Sequence, residues 1–133
     1  MSEPLALIIE DEPDLAEIFT EALRAAGFAT ETIRSGDRAR ERLAVVVPDV
    51  VVLDLHLPRV DGDQLLKQIR GDRRLQSTRV IIASADPLLA ETLDGQAELV
   101  LIKPISFSQL RDLATRLKSA AAIGTRPIET EPG

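Results

Sequence analysis

The chain has 133 residues, contains no cysteine, and carries a formal net charge of −6 at pH 7. A chain of this length can bury the core of a single domain, and the missing cysteines exclude disulfides, thiolate metal sites and cysteine nucleophiles. The acidic balance argues against a surface that holds nucleic acid by neutralising phosphates. Because no apolar run approaches the ~20 residues that cross a bilayer, and no basic leader opens the chain, we expect a soluble, cytoplasmic protein.

Apolar runs alternate with segments of helical periodicity along the first half of the chain. These segments predict, in order, a strand at 5–9, a helix from Pro13 to about Ala26, a strand at 28–33 and a helix after Ser35. Pro48 then breaks the chain before the most apolar run, Val-Val-Val-Leu at 50–53. Since this run has no polar alternation, it predicts a strand buried on both faces of a parallel sheet, with Asp54 at its end.

The same alternation continues through the second half. It predicts, in order, a helix after Gly62, a strand at 80–83 leading to Ser84, a short helix at 87–93, a strand at 99–102 leading to Lys103, and a last helix. The arginine-rich stretch at 70–79 is interpreted as a solvated loop and helix end. The core-facing stripe of the last helix is predicted to consist of Phe107, Leu110, Leu113, Ala114 and Leu117. Beyond about Ser119 the periodicity stops, so we expect one domain over 1–119 and a disordered tail over 120–133.

Five predicted strands that alternate with five predicted helices indicate a doubly wound, flavodoxin-like α/β fold. We expect a five-stranded parallel sheet with helices on both faces and right-handed crossovers. In such sheets, ligands bind in the crevice beyond the carboxyl ends of the strands. Asp54 is therefore expected to face a cleft instead of the core.

Polar groups that suit phosphate chemistry follow four of the five predicted strands. They are Glu10 with Asp11, then Asp54, Ser84 and Lys103. Carboxylate oxygens are ligands that Mg²⁺ prefers, and an aspartate can attack phosphorus to form an acyl phosphate. A lysine and a serine hydroxyl could contact the other oxygens of a phosphoryl group during its transfer. The sequence thus predicts a Mg²⁺-dependent phosphoryl-transfer site at one edge of the sheet.

Over about residues 4 to 119, the chain resembles the receiver domain of two-component response regulators. The resemblance rests on the acidic pair after the first strand, the Asp-Leu-x-Leu-Pro-x-x-Asp-Gly segment at 54–62, the Ser84-Ala85 pair and Lys103-Pro104. It implies that Asp54 accepts the phosphoryl group, that Ser84 is the switch hydroxyl and that Lys103 contacts the phosphoryl group. It also implies a cis peptide bond before Pro104.

The resemblance further implies a Mg²⁺ site and protein partners. Glu10, Asp11 and Asp54 would hold the ion together with the backbone carbonyl of His56. A sensor histidine kinase or a phosphotransfer protein would supply the phosphoryl group, and the phosphorylated protein would bind a downstream protein target. Because few residues follow the last helix, we expect either a single-domain regulator that acts by docking to another protein or a fragment of a longer chain. We expect no nucleic-acid contact and no membrane anchor. Such a protein catalyses only its own phosphorylation and dephosphorylation.

Some positions depart from the usual receiver pattern. Glu10 is longer than the more frequent aspartate, and Val100 stands where active receivers generally carry an aromatic ring. The chain has no tyrosine or tryptophan, so we expect the signal to pass through Ser84 and the loop after it, or through the short fourth helix. His56 is either a solvent-facing loop residue or a residue at the mouth of the site. In the second case, His56 and Asp86 could gate water, and His56→Ala would change the dephosphorylation rate.

Three alternatives stay open at this point. Val100 is compatible with a receiver-like interaction module that acts without phosphorylation. A flavodoxin-like cofactor binder shares the topology, but it needs a Ser/Thr/Gly phosphate cradle, whereas the loop after the first predicted strand is acidic. A phosphatase of the aspartyl-phosphate type would need an aspartate at the position of His56.

Overall fold

Five strands and five α-helices alternate through the computed structural model, which describes residues 3–93 and 95–122. The strands are β1 (Leu5–Ile9), β2 (Ala29–Ile33), β3 (Val50–Asp54), β4 (Arg79–Ser84) and β5 (Leu99–Ile102). The α-helices are α1 (Pro13–Ala25), α2 (Gly36–Leu43), α3 (Gly62–Arg70), α4 (Pro87–Leu93) and α5 (Phe107–Ala122). The predicted order of elements is confirmed.

The strands form one parallel sheet in the order β2-β1-β3-β4-β5. β3 is the central strand, and it pairs with β1 on one side and with β4 on the other. The direction of winding reverses between β1 and β3, because β2 lies outside β1 while β4 and β5 extend the sheet beyond β3. Ligands of open α/β sheets bind at such a point. The predicted doubly wound fold is therefore confirmed, and it places the candidate site at the ends of β1 and β3.

Alternate residues of β3 pack into separate cores on the two faces of the sheet. Val51 and Leu53 belong to the core beneath α2 and α3, whereas Val50 and Val52 belong to the core beneath α1 and α5. All four residues are at most 2% exposed, which confirms the predicted burial on both faces. Complete burial of an aliphatic side chain stabilises a fold by roughly 1.5–3 kcal/mol. β3 is therefore a firmly anchored support for Asp54.

The stretch at 70–79 and the side chain of Phe107 differ from the sequence prediction. The stretch at 70–79 contains a short 3-10 helix, Arg73–Leu75, instead of only a solvated loop. It forms because Leu75 is fully buried, and because the side chain of Asp72 accepts a backbone hydrogen bond (2.9 Å) at its start. Phe107, predicted in the core-facing stripe, is 37% exposed. It is the first residue of α5, and the Arg111 guanidinium covers its ring at 5.5 Å from the ring centre.

The last helix passes the predicted domain boundary at 119. α5 continues to Ala122, so the first three residues of the tail predicted at 120–133 are helical. The remainder of the tail predicted to be disordered, residues 123–133, lies outside the described residues. No helix in the described part of the chain is long and apolar enough to cross a membrane.

Candidate functional site

Three carboxylates meet at the ends of β1 and β3. Ile9 pairs with Leu53, so the next residues, Glu10 and Asp54, lie side by side, and Asp11 follows directly. One carboxylate oxygen from each of the three acids lies within 4.8 Å of the others. Glu10 is 1% exposed and Asp54 is 2% exposed. The Asp54 carboxylate therefore lies deeper than the open cleft predicted from the sequence.

Lys103 provides a positive charge beside these carboxylates. Its backbone N–H donates to Ser84 O (2.8 Å), which ties the residue after β5 to the end of β4. Its Nζ lies 3.2 Å from Glu10 Oε1 and 3.3 Å from Asp54 Oδ1. The predicted cis bond between Lys103 and Pro104 is present. The ends of β1, β3 and β5 thus contribute to one charged cluster.

Burial and charge crowding change the ionisation of this cluster. Burial, followed by the neighbouring carboxylate of Asp54, raises the pKa of Glu10 from 4.5 to about 7, and the ion pair with Lys103 offsets only part of this rise. Burial opposes the charge of Lys103, but the carboxylates of Asp54 and Glu10 outweigh it and raise the pKa of the lysine. The single ammonium group therefore compensates the acids only in part.

The acid cluster has the properties of a divalent cation site. Glu10 Oε1 is buried, and within residues 3–93 and 95–122 it has no hydrogen-bond partner, although Lys103 Nζ lies at ion-pair distance. The second oxygen, Oε2, accepts a hydrogen bond from Glu12 N (3.3 Å). A buried carboxylate that shares one ammonium group with a second carboxylate is only partly compensated and is energetically costly, and Mg²⁺ is a hard cation that binds such oxygens. The residues present therefore fit Mg²⁺.

The orientation of Asp54 is fixed by two donors. Its Oδ1 accepts hydrogen bonds from His56 N (3.1 Å) and from Lys103 Nζ (3.3 Å). Since both donors contact the same oxygen, Oδ2 is left without a donor in the part of the chain that the structure describes. Oδ2 is therefore the oxygen of Asp54 whose lone pairs are available for chemistry.

Gly62 lets the loop after β3 close against the strand. Its N–H donates to Leu55 O (3.2 Å), and a Cβ at this position would lie 2.5 Å from Leu55 Cα and 2.7 Å from Asp54 O. Gly62 begins α3, and the backbone approaches it so closely that a side chain is excluded. The glycine therefore supports the position of Asp54.

The hydroxyl of Ser84 is held by His56 and Asp86. Ser84 is fully buried; its Oγ accepts from Asp86 N (3.0 Å), donates to Asp86 O (3.3 Å) and lies 3.3 Å from His56 Nε2. The Asp86 carboxylate accepts hydrogen bonds from Leu88 N (3.0 Å) and Leu89 N (3.3 Å). Asp86 therefore caps the start of α4. The water gate suggested for His56 and Asp86 stays a prediction.

Sequence reasoning missed Arg34, which follows β2. Its Nε and Nη2 both donate to Asp11 O, each at 3.2 Å. Nearby, Glu10 N donates to Ile33 O (3.1 Å). These bonds fasten the acidic loop to the neighbouring strand. The sequence could have pointed to Arg34 only by its position. Arg34 directly follows the second predicted strand, so it lies at the same edge of the sheet as the acids.

Val100 lies on β5, where a receiver generally carries an aromatic ring. It is half-buried and lines a shallow groove between α4 and β5, together with Pro87, Ala90, Glu91 and Ile102. All of these lining residues are non-aromatic. Val100 therefore contributes only an aliphatic wall to this surface.

Comparisons with known proteins agree with this geometry. The family model of the response regulator receiver domain matches residues 6–115. The transcriptional regulatory protein BaeR from Escherichia coli O6:H1 is 35% identical over 118 residues, which cover 87% of this chain and 47% of BaeR. The phosphate regulon transcriptional regulatory protein PhoB from Rhizobium meliloti is 32% identical over 110 residues, which cover 80% of this chain and 48% of PhoB.

A solved structure shares the fold. The CheY-like response regulator receiver domain from Methylobacillus flagellatus is 29% identical, with a TM-score of 0.76, and the match covers 87% of this chain and 99% of that one. The chain spans about half the length of BaeR and of PhoB. Since the family model matches most of the sequence, the chain belongs to the response regulator receiver domain family of two-component signalling.

Proposed function

We propose that this receiver domain accepts a phosphoryl group on Asp54 from a sensor histidine kinase or a phosphotransfer protein, in a Mg²⁺-dependent reaction. Phosphorylation then alters its binding to a downstream protein. The observation that carries the proposal is the cluster of Glu10, Asp11 and Asp54, in which Glu10 and Asp54 are buried. Lys103 Nζ lies 3.3 Å from Asp54 Oδ1 beside them. The only reactions that the domain would catalyse are its own phosphorylation and dephosphorylation.

Four groups would hold Mg²⁺: the carboxylates of Glu10, Asp11 and Asp54, and the backbone carbonyl of His56. The ion would screen the repulsion between Asp54 and an incoming phosphoryl group and stabilise charge on the phosphoryl oxygens. The buried Glu10 Oε1, whose charge the ion pair with Lys103 offsets only in part, supports this assignment. The hydrogen bond from His56 N to Asp54 Oδ1 (3.1 Å) supports it as well, because it keeps the main chain of His56 beside the acids.

Asp54 Oδ2 is the proposed nucleophile. It forms a bond to phosphorus while the bond between phosphorus and the imidazole nitrogen of the donor breaks. The electron pair of the broken bond stays on that nitrogen, which takes a proton from solvent, and Asp54 becomes an acyl phosphate. Lys103 Nζ is close enough to contact one phosphoryl oxygen, and the Ser84 hydroxyl would reach another after it turns away from Asp86 O.

Intact mass spectrometry tests this proposal directly. After incubation with acetyl phosphate and Mg²⁺, the protein should gain the mass of one phosphoryl group. The Asp54→Ala variant and a sample with excess chelator should gain none. Asp112→Ala removes an exposed acid on α5 that is not part of the acid cluster, and this control should be labelled normally.

Failure of labelling would contradict the proposal if the protein is folded and calorimetry shows bound Mg²⁺. That result would favour the second candidate function, a receiver-like interaction module that acts without phosphorylation. Val100 is the observation behind this candidate, because a valine cannot expose or bury a large ring in response to a phosphoryl group.

A further inference from the structure

The hydroxyl of Ser84 has no free hydrogen-bonding capacity. A serine hydroxyl has one proton to donate and two lone pairs that accept. Ser84 Oγ donates to Asp86 O, accepts from Asp86 N, and lies 3.3 Å from His56 Nε2. With the serine proton directed at Asp86 O, His56 Nε2 is the donor to the remaining lone pair. These three contacts use the proton and both lone pairs of the hydroxyl, and none of them is to Asp54.

A phosphoryl group on Asp54 would compete for this hydroxyl. Asp54 pairs with Ala83 across β3 and β4, so Ser84 lies one residue beyond the acceptor on the adjacent strand. To donate to a phosphoryl oxygen, the hydroxyl must withdraw its only proton from Asp86 O and turn about χ1 to another staggered position. This turn also breaks the hydrogen bond with His56 Nε2, which at 3.3 Å is long.

His56 connects the buried hydroxyl to the surface of the protein. His56 is exposed, whereas Ser84 is fully buried. The backbone N–H of His56 is held by Asp54 Oδ1 (3.1 Å), and the preceding Leu55 is buried and accepts from Gly62 N (3.2 Å). Because the main chain is fixed on this side, a change at Ser84 can reach the surface by rotation of the imidazole alone.

The phenylalanine rings of the chain are occupied elsewhere. Phe19 and Phe28 lie in the core beneath α1 and α5, and Phe107 lies at the start of α5 beneath Arg111. There is no tyrosine or tryptophan in the sequence. The ring that contacts the switch hydroxyl is therefore that of His56.

We infer that the His56 imidazole is a positioning residue that retains the Ser84 hydroxyl in the unphosphorylated protein and is released when this hydroxyl binds the phosphoryl group. The released ring changes the surface beside the site. It thereby takes the role that Val100 cannot fill. The inference rests on the proposed function, since it requires a phosphoryl group on Asp54.

Calorimetric titration with beryllofluoride, a stable phosphoryl analogue, in the presence of Mg²⁺ tests the inference. Two variants of this exposed residue, His56→Phe and His56→Gln, leave its backbone carbonyl in place. His56→Phe keeps a planar ring but loses the hydrogen bond to Ser84. His56→Phe should bind beryllofluoride about two- to tenfold more tightly than the unmodified protein, since one hydrogen bond of the free state is lost. His56→Gln has an amide N–H that can reach Ser84, and it should restore the original affinity.

The Ser84→Ala background separates this role from a general effect on the loop. There, His56→Phe should leave beryllofluoride affinity unchanged, and the imidazole nitrogen resonances of His56 should respond to beryllofluoride only when Ser84 is present. The inference is overturned if His56→Phe weakens binding, if its effect is equal with and without Ser84, or if the resonances of the unmodified protein do not move. Failure of the unmodified protein to bind beryllofluoride would overturn the proposed function, and the inference with it.

Discussion

Replacement of Glu10 by glutamine should stabilise the metal-free protein above neutral pH, although it removes a proposed Mg²⁺ ligand. Folding raises the pKa of Glu10 from 4.5 to about 7, because of burial and the charge of Asp54. Between these two pH values the folded chain binds more protons than the unfolded chain, so the free energy of unfolding falls as pH rises. At about 1.4 kcal/mol for each pH unit, Glu10 lowers stability by up to about 3 kcal/mol once it is ionised.

Urea unfolding with excess chelator at pH 5.5 and pH 8 measures this effect. Far-ultraviolet circular dichroism suits a chain without tryptophan or tyrosine, and pH 5.5 keeps the protein above its isoelectric point of about 4.8. The free energy of unfolding of the unmodified protein should be about 2 kcal/mol lower at pH 8 than at pH 5.5, because Glu10 ionises between these values. This decrease should be absent in Glu10→Gln. Glu17→Gln, an exposed acid on α1, should behave like the unmodified protein. The same pH dependence in Glu10→Gln and in the unmodified protein would refute the reasoning.

Three further substitutions test the frame around the site. Gly62→Ala should lower the free energy of unfolding by more than about 2 kcal/mol, because its Cβ would lie 2.5 Å from Leu55 Cα; an unchanged urea midpoint would contradict this close approach. Arg34→Gln should weaken Mg²⁺ binding by up to about tenfold in calorimetric titration, since two 3.2 Å hydrogen bonds from its guanidinium hold the Asp11 carbonyl. Equal affinity would show that this clamp does not position the acidic loop. Thr78→Val should cost about 1–2 kcal/mol in urea unfolding, because the buried Thr78 Oγ1 donates to a backbone carbonyl at 2.7 Å. The Thr78→Val variant should be labelled normally by acetyl phosphate, because Thr78 precedes β4 and lies at the end of the sheet opposite the site. A loss of labelling would contradict the separation of Thr78 from the site.

The fold could be predicted from the sequence because each element carries its own local pattern. The aliphatic run at 50–53 has no polar alternation, and the structure buries its residues in two cores on opposite faces. The position of the acids followed from the same reasoning, since parallel strands end at a common edge. Glu10 and Asp54 could therefore be expected as neighbours before any distance was known.

The direction of individual side chains could not be predicted in the same way. The depth of Asp54, the contact of His56 with Ser84, and the clamp from Arg34 depend on which atoms face each other across separate strands and loops. Sequence spacing does not encode these orientations, because a side chain rotates about χ1 within a fixed backbone. Asp86 illustrates the point, since its carboxylate accepts two backbone hydrogen bonds in the first turn of α4.

The crowded carboxylates of the site lower the stability of the metal-free domain but favour the binding of a cation. Three carboxylates lie beside one ammonium group, and the raised pKa of Glu10 reflects the free energy required to keep them ionised together. Domains are typically stable by about 5–15 kcal/mol, so a penalty of up to about 3 kcal/mol can be tolerated. The two buried cores hold β1 and β3 in place whether or not the acids at their ends are charged. A cation that binds only the folded chain adds to its stability by mass action. The repulsion that destabilises the metal-free protein is therefore expected to be the same force that favours binding of the ion.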